Sequence, residues 1–138
     1  MEPRIVVSSA GFIIIFTWIY LSFTKNRRKT FHLAAKNFRE AFTDEINDLS
    51  QGEGDAFEFL RTALPKQEKA YLQFRTYLKG RALRQFDEAW NEYYGDGGGN
   101  SHFFPHQYSA LGTTVLAKEK RTLALRRIQN LFSFARIR

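Results

Sequence analysis

From residue 5 to residue 23 the chain passes through nineteen positions without one charged side chain. An α-helix rises about 1.5 Å per residue, so this run would extend about 28 Å, close to the thickness of a bilayer's hydrocarbon core. The pattern predicts a transmembrane helix. Trp18 and Tyr20 stand near its C-terminal end, where amphipathic rings favour the membrane interface. Lys25, Arg27, Arg28 and Lys29 follow, against Arg4 alone on the other side, and this asymmetry predicts a single pass with the N-terminus outside and the remainder cytoplasmic. A cleaved signal peptide fits less well, because the apolar run exceeds about 7–15 residues and no A-x-A site precedes the charges. No small-xxx-small spacing supports tight pairing of the span.

Between Gly11 and Gly52 there is neither Gly nor Pro, so the first helix is free to continue past the basic cluster. Phe31, Ala34, Phe38, Phe42, Ile46 and Leu49 then recur at three- and four-residue steps, one apolar stripe on a helix over residues 30–50. Thr43-Asp44-Glu45 has the form of a helix start and marks a possible break within it. After the polar turn at residues 50–55, Phe57, Leu60 and Leu64 predict a short helix that stops before Pro65. Pro65 then opens a third helix that runs to about Lys79 and buries Ala70, Phe74, Tyr77 and Leu78, with Gly80 as its terminator. A fourth carries Leu83, Phe86, Trp90 and Tyr93 on one face and ends at Gly95. Residues 95–112 lose the helical period and form the longest loop, and a last helix over 113–138 carries Leu116, Leu123, Ala124, Ile128, Leu131 and Ala135.

The expected architecture is therefore all-α. An anchor at residues 1–24 and a basic juxtamembrane segment at 25–30 lead into a cytoplasmic bundle of about four to five helices at 31–138. Within 138 residues only one small domain fits beside an anchor, and 16% aromatic content provides ample core material. Cysteine is absent, which excludes disulfides, thiolate metal sites and a cysteine nucleophile. The net charge of +7 is unevenly spread. Residues 1–30 have five basic groups against one acidic, residues 31–112 nine against twelve, and residues 113–138 seven against one.

Chemistry-bearing motifs are sparse. The stretch Gly95-Asp96-Gly97-Gly98-Gly99-Asn100 lacks the Gly-Lys-Ser/Thr ending of a phosphate-binding loop and places Gly where a calcium loop needs oxygen ligands. His102 and His106 have a zinc-compatible spacing, with Glu92 or Asp96 as carboxylates, but Pro105 interrupts the helix that spacing requires. No metal, cofactor or catalytic residue is assigned. The aromatic band of Tyr71, Phe74, Tyr77, Phe86, Trp90, Tyr93 and Tyr94 has the spacing of core positions. On the last helix Lys118, Lys120, Arg121, Arg126 and Arg127 accompany an apolar stripe. They fit contact with an anionic leaflet about as well as they fit solvated charges on an ordinary domain helix.

Phe38-Arg39 with Phe42, Phe74-Arg75 with Leu78, and Phe86-x3-Trp90-x2-Tyr93 together resemble a family of short bacterial single-pass membrane-anchored proteins without an assigned activity. The resemblance covers about half the chain. It implies a bacterial inner-membrane setting and transfers no functional residue. The expected function is a non-enzymatic protein-interaction or scaffold module, with the bilayer and a protein as partners. Nucleic-acid binding through the basic C-terminal helix is the alternative, and a metal enzyme using Asp96, His102 and His106 is a distant third.

Overall fold

The stripe beginning at Phe31 fixes where the first helix meets the rest of the molecule, because only its apolar face can be buried. In the computed structural model this helix, α1, runs over Ser9–Glu40. It is followed by α2 (Thr43–Gln51), α3 (Ala56–Arg75), α4 (Gly80–Tyr94) and α5 (Thr114–Phe134), with no strand among the described residues. The structure describes residues 9–52, 54–95, 107–110 and 114–136, with residues 9–19 and 23 by their backbone alone. The chain is all-α, as its periodicity predicts.

The membrane span does not survive. Helix α1 passes unbroken through the basic cluster, but no helix among the described residues is long and apolar enough to cross a membrane. Within the described part of that helix, Ser9, Thr17, Ser22 and Thr24 dilute the apolarity of the charge-free stretch. Residues 5–8, the start of the expected span, lie outside the described residues. The single-pass localisation with an outside N-terminus falls with the span, and so does the basis for assigning Trp18, Tyr20, Lys25, Arg27, Arg28 and Lys29 to a membrane interface.

Thr43 does open a new helix. The chain tightens through Phe42 N–H donating to the Arg39 carbonyl at 3.1 Å, and Asp44 and Glu45 then occupy the first turn of α2, where the helix dipole favours negative charge. Two left-handed glycines make the next turn, Gly52 (φ 75°) and Gly54 (φ 79°). A Cβ on Gly54 would stand 2.6 Å from the Phe59 ring. Asp55 caps α3 by accepting from the Phe57 N–H at 3.0 Å.

Helix α3 corrects two expectations. It is one helix with Pro65 inside it, and it ends at Arg75 rather than near Lys79. Pro65 removes the N–H that would bond the Arg61 carbonyl, a loss of about 3 kcal/mol in a helix interior. It is tolerated because Ala56, Leu60, Ala63, Gln67, Ala70 and Phe74 hold one buried stripe in phase on both sides of it, while Pro65 itself faces solvent. Tyr77, expected in the core, lies past the helix end and is 45% exposed. Gly80 (φ 56°) opens α4 instead of closing α3.

Phe38 is the centre of the packing. Its ring lies 5.1 Å from Phe42, 5.1 Å from Phe74, 5.5 Å from Phe86 and 6.2 Å from Phe132, so one side chain of α1 touches rings carried by α3, α4 and α5. Ala124, Ile128, Leu131 and Ala135 bring α5 into the same core, and Trp90 stacks on Tyr71 at 4.3 Å. Beside that stack the Asp87 carboxylate accepts from Tyr71 Oη (2.7 Å), Arg75 Nε (2.8 Å) and Arg75 Nη2 (2.7 Å), a bidentate clamp between α3 and α4.

A polar layer crosses the other end of the core. Tyr93 Oη donates to Gln67 Oε1 at 2.6 Å, both groups buried. The Tyr93 carbonyl belongs to the last turn of α4, where no helical donor remains. It accepts from Tyr108 Oη (2.6 Å) and Gln107 Nε2 (2.7 Å), so a segment expected as plain loop caps α4 and buries Tyr108 completely. Burial pushes the Tyr108 hydroxyl up to about 12, against the pull of the neighbouring Arg127 cation. Glu45 Oε2 and Gln67 Nε2 remain buried without a hydrogen-bond partner among the described residues, at a cost of about 1–3 kcal/mol each.

Two outcomes follow from this packing. Phe38→Ala should lower stability by about 3–5 kcal/mol in urea denaturation; a loss below about 1 kcal/mol would refute its central place. Hydrogen bonding from Arg75 holds the Asp87 carboxyl below its ordinary value. A depressed carboxyl contributes stability that is complete above its unfolded pKa and is lost as pH falls through the folded one. Asp87→Asn should therefore flatten the decline of stability below about pH 4 and cost about 1 kcal/mol at neutral pH, the clamp being partly exposed. Urea titrations of the two proteins across acid pH check this.

Candidate functional site

The two basic ends of the sequence meet in the folded chain. On α1, Arg28 lies three and four residues before Phe31 and His32, hence on their face of the helix. On α5, Ser133 and Phe134 close the helix and Arg136 follows. Leu78, Ala82 and Gln85, from the approach to α4 and its first two turns, complete a groove of about 1010 Å³ lined by these same residues.

Its floor is continuous with the core. Phe31 sits 5.6 Å from Phe74, Phe74 sits 5.5 Å from Phe86, and Phe86 sits 5.5 Å from Phe134, so a chain of rings runs from one wall to the other. Its rim is cationic. Arg28 and Arg136 are exposed, neither forms an ion pair among the described residues, and none of the lining residues is a carboxylate.

Another groove, of about 540 Å³, lies across His32 and is lined by Leu33, Lys36, Arg39, Glu40, Thr43 and Phe132. Its cations are already engaged. Lys36 pairs with Glu40 at 3.6 Å, and the Arg39 guanidinium lies 5.6 Å from the centre of the Phe132 ring. The first groove thus presents uncompensated positive charge over apolar floor, and the second does not.

The cations of α5 divide by position. Lys120 donates to the Gln107 carbonyl at 2.8 Å, Arg121 to the Gly54 carbonyl at 2.9 Å, and Arg127 to Gln107 Oε1 and, at 3.3 Å, to Tyr108 Oη. These three tie α5 to the turn before α3 and to the segment that caps α4. Lys118 and Arg126 are exposed beside Glu119, Thr122 and Leu123. Because the apolar stripe of α5 is buried against the other helices, it is the packing of an ordinary domain helix that the structure displays.

Of the other sequence candidates, Tyr20 is 69% exposed, and Lys25, Arg27 and Lys29 are exposed along α1. The Trp18 side chain, the glycine-rich stretch at 96–100, and Asp96, His102 and His106 lie outside the described residues. Among the described residues no three His, Asp or Glu side chains gather as a metal set. Sequence reasoning placed Arg28 at a membrane interface and Phe31 in a core stripe, and it had no signal that would join either to Phe134 and Arg136. No family model, curated protein or solved structure matches this chain.

The division of labour on α5 is measurable. Arg127→Ala removes the donor to Gln107 and should cost about 1–3 kcal/mol in thermal or urea unfolding. Lys118→Ala and Arg126→Ala should each stay within about 0.5 kcal/mol of the parent; equal effects at all three positions would refute the assignment.

Proposed function

We propose that this chain is a non-enzymatic protein-interaction module that docks a partner in the groove between α1, the start of α4 and the end of α5. The observation that carries this reading is the combination of an apolar floor with an uncompensated basic rim in one concave site. Apolar centre and polar periphery are the usual anatomy of a specific interface. The floor rings are braced through Phe74 and Phe86, so little side-chain order remains to be imposed when a partner binds.

Helix α1 adds to the same reading. Its described core contacts begin at Phe31, and Tyr20 and Leu21 on the preceding turns are 69% and 53% exposed. An exposed apolar helix segment beside a groove extends the surface on which a partner can rest. Nucleic-acid binding is the competing reading, since Arg28 and Arg136 suit phosphate as well as carboxylate. It is weaker, because three of the five basic residues singled out on α5 are spent on internal hydrogen bonds.

A photo-crosslinking amino acid placed at Gln85 in the full chain should give light-dependent adducts to protein in cells. The same group at Thr62, exposed on the first half of α3, should not. Adducts to RNA or DNA alone, or equal protein adducts at both positions, would overturn the reading.

A further inference from the structure

From the chemistry of the same groove we infer the class of partner it takes: an acidic protein segment that inserts one or two large apolar side chains between Phe31 and Phe134 while its carboxylates meet Arg28 and Arg136. This inference rests on the protein-docking reading and adds the partner's composition to it.

Charge complementarity carries the first half of the argument. Arg28 rises from α1 and Arg136 follows α5, so two cations from opposite ends of the chain face one cleft whose lining holds no carboxylate. Among the described residues both cations are free to pair with an occupant's carboxylates. Guanidinium groups match carboxylates in a bidentate geometry that fixes orientation as well as sign. Arg81 and Arg84, exposed on the first turns of α4, strengthen the positive field on this side, and the whole chain carries +7. Such a field speeds encounter with an acidic segment and disfavours a basic one.

The apolar lining carries the second half. Phe31, Leu78 and Phe134 are half-buried and aliphatic or aromatic, and a cleft of about 1010 Å³ has room for more than one large side chain. An aromatic or branched aliphatic anchor placed there gains desolvation that a polar peptide does not. Gln85 and Ser133 supply the few polar contacts; the Ser133 hydroxyl already donates to the Asn130 carbonyl, leaving its oxygen to accept from a peptide N–H.

The same rings argue against a polynucleotide as occupant. Bases stack on open aromatic faces along a basic track. Phe31 and Phe134 are instead packed against Phe74 and Phe86, and they serve as walls of a cleft, not as free-standing platforms.

The test selects short peptides from a randomised display library on the full chain, with the full chain carrying Ala82→Trp as counter-target. Ala82 is exposed and lines the cleft, so the indole fills the cleft without entering the core. A fluorescent single-stranded RNA homopolymer is titrated in parallel. The expected result is peptides rich in Asp and Glu around one or two large apolar residues. They should bind about tenfold more weakly to the Arg28→Glu/Arg136→Glu protein and lose affinity as salt rises. Cleft-dependent peptides of neutral or basic composition, or peptides indifferent to the charge reversal, overturn the partner chemistry and leave the docking reading standing. Peptides that all bind the Ala82→Trp protein equally, together with RNA binding that the charge reversal abolishes, overturn both.

Discussion

The packing of Phe38 against four other rings is the contact on which the remaining structure hangs. A ring in the last turn of α1 that touches Phe42, Phe74, Phe86 and Phe132 fixes the height and rotation of α1 against three other helices at once. Aromatic pairs at such distances contribute about 0.5–1.5 kcal/mol each beyond the area they bury. Interiors packed this closely transmit displacement, so the same cluster sets what happens two turns away. Phe31 lies there on the same face of α1, and through Phe74 and Phe86 it is linked ring by ring to Phe134 on α5. The walls of the basic groove are the outer ends of the aromatic core.

Charge is used in two ways along one helix. The inner cations of α5 hydrogen-bond to carbonyl and amide oxygens left over where α4 ends and where the chain turns into α3. The caps are unusual only in their source: Tyr108 and Gln107 reach the Tyr93 carbonyl across the loop, and Arg127 and Lys120 hold those two residues in place. The cation beyond the end of α5, Arg136, forms no such bond among the described residues and stands with Arg28 over an apolar floor. A positive rim unrelieved by any lining carboxylate does little for the folded state, which is the physical ground for reading it as recognition.

Specificity of the core is shared between apolar and polar contacts that do not serve equally. The in-phase stripe of α3 outweighs the defect introduced by Pro65, because burial along the whole helix exceeds one lost hydrogen bond. Gln67 interrupts that stripe with an amide, satisfied on its oxygen by Tyr93; its nitrogen and one oxygen of Glu45, nearby in the same layer, have no partner among the described residues. The molecule tolerates these costs where α2, α3 and α4 meet, at the end opposite the groove.

By itself the sequence determined what is local: the all-α class, the break before Thr43, the end of α4, the start of α5, and the core role of Phe38, Phe42, Leu49, Leu60, Phe74, Phe86, Trp90, Tyr93, Ile128 and Leu131. Each rests on a three- to four-residue period or a breaker a few positions away. Tertiary structure decided the rest. A charge-free run read as a bilayer span became part of a helix that, among the described residues, is not long and apolar enough for that task. A proline read as a boundary became interior, because distant helices bury the stripe on both sides of it. Tyr108, in a stretch with no period, became core because the last carbonyls of α4 needed a donor. The groove had no local signal at all: Arg28, Phe31, Phe134 and Arg136 belong to opposite ends of the chain, and only the aromatic packing of α1 and α5 against α3 and α4 brings them to one surface.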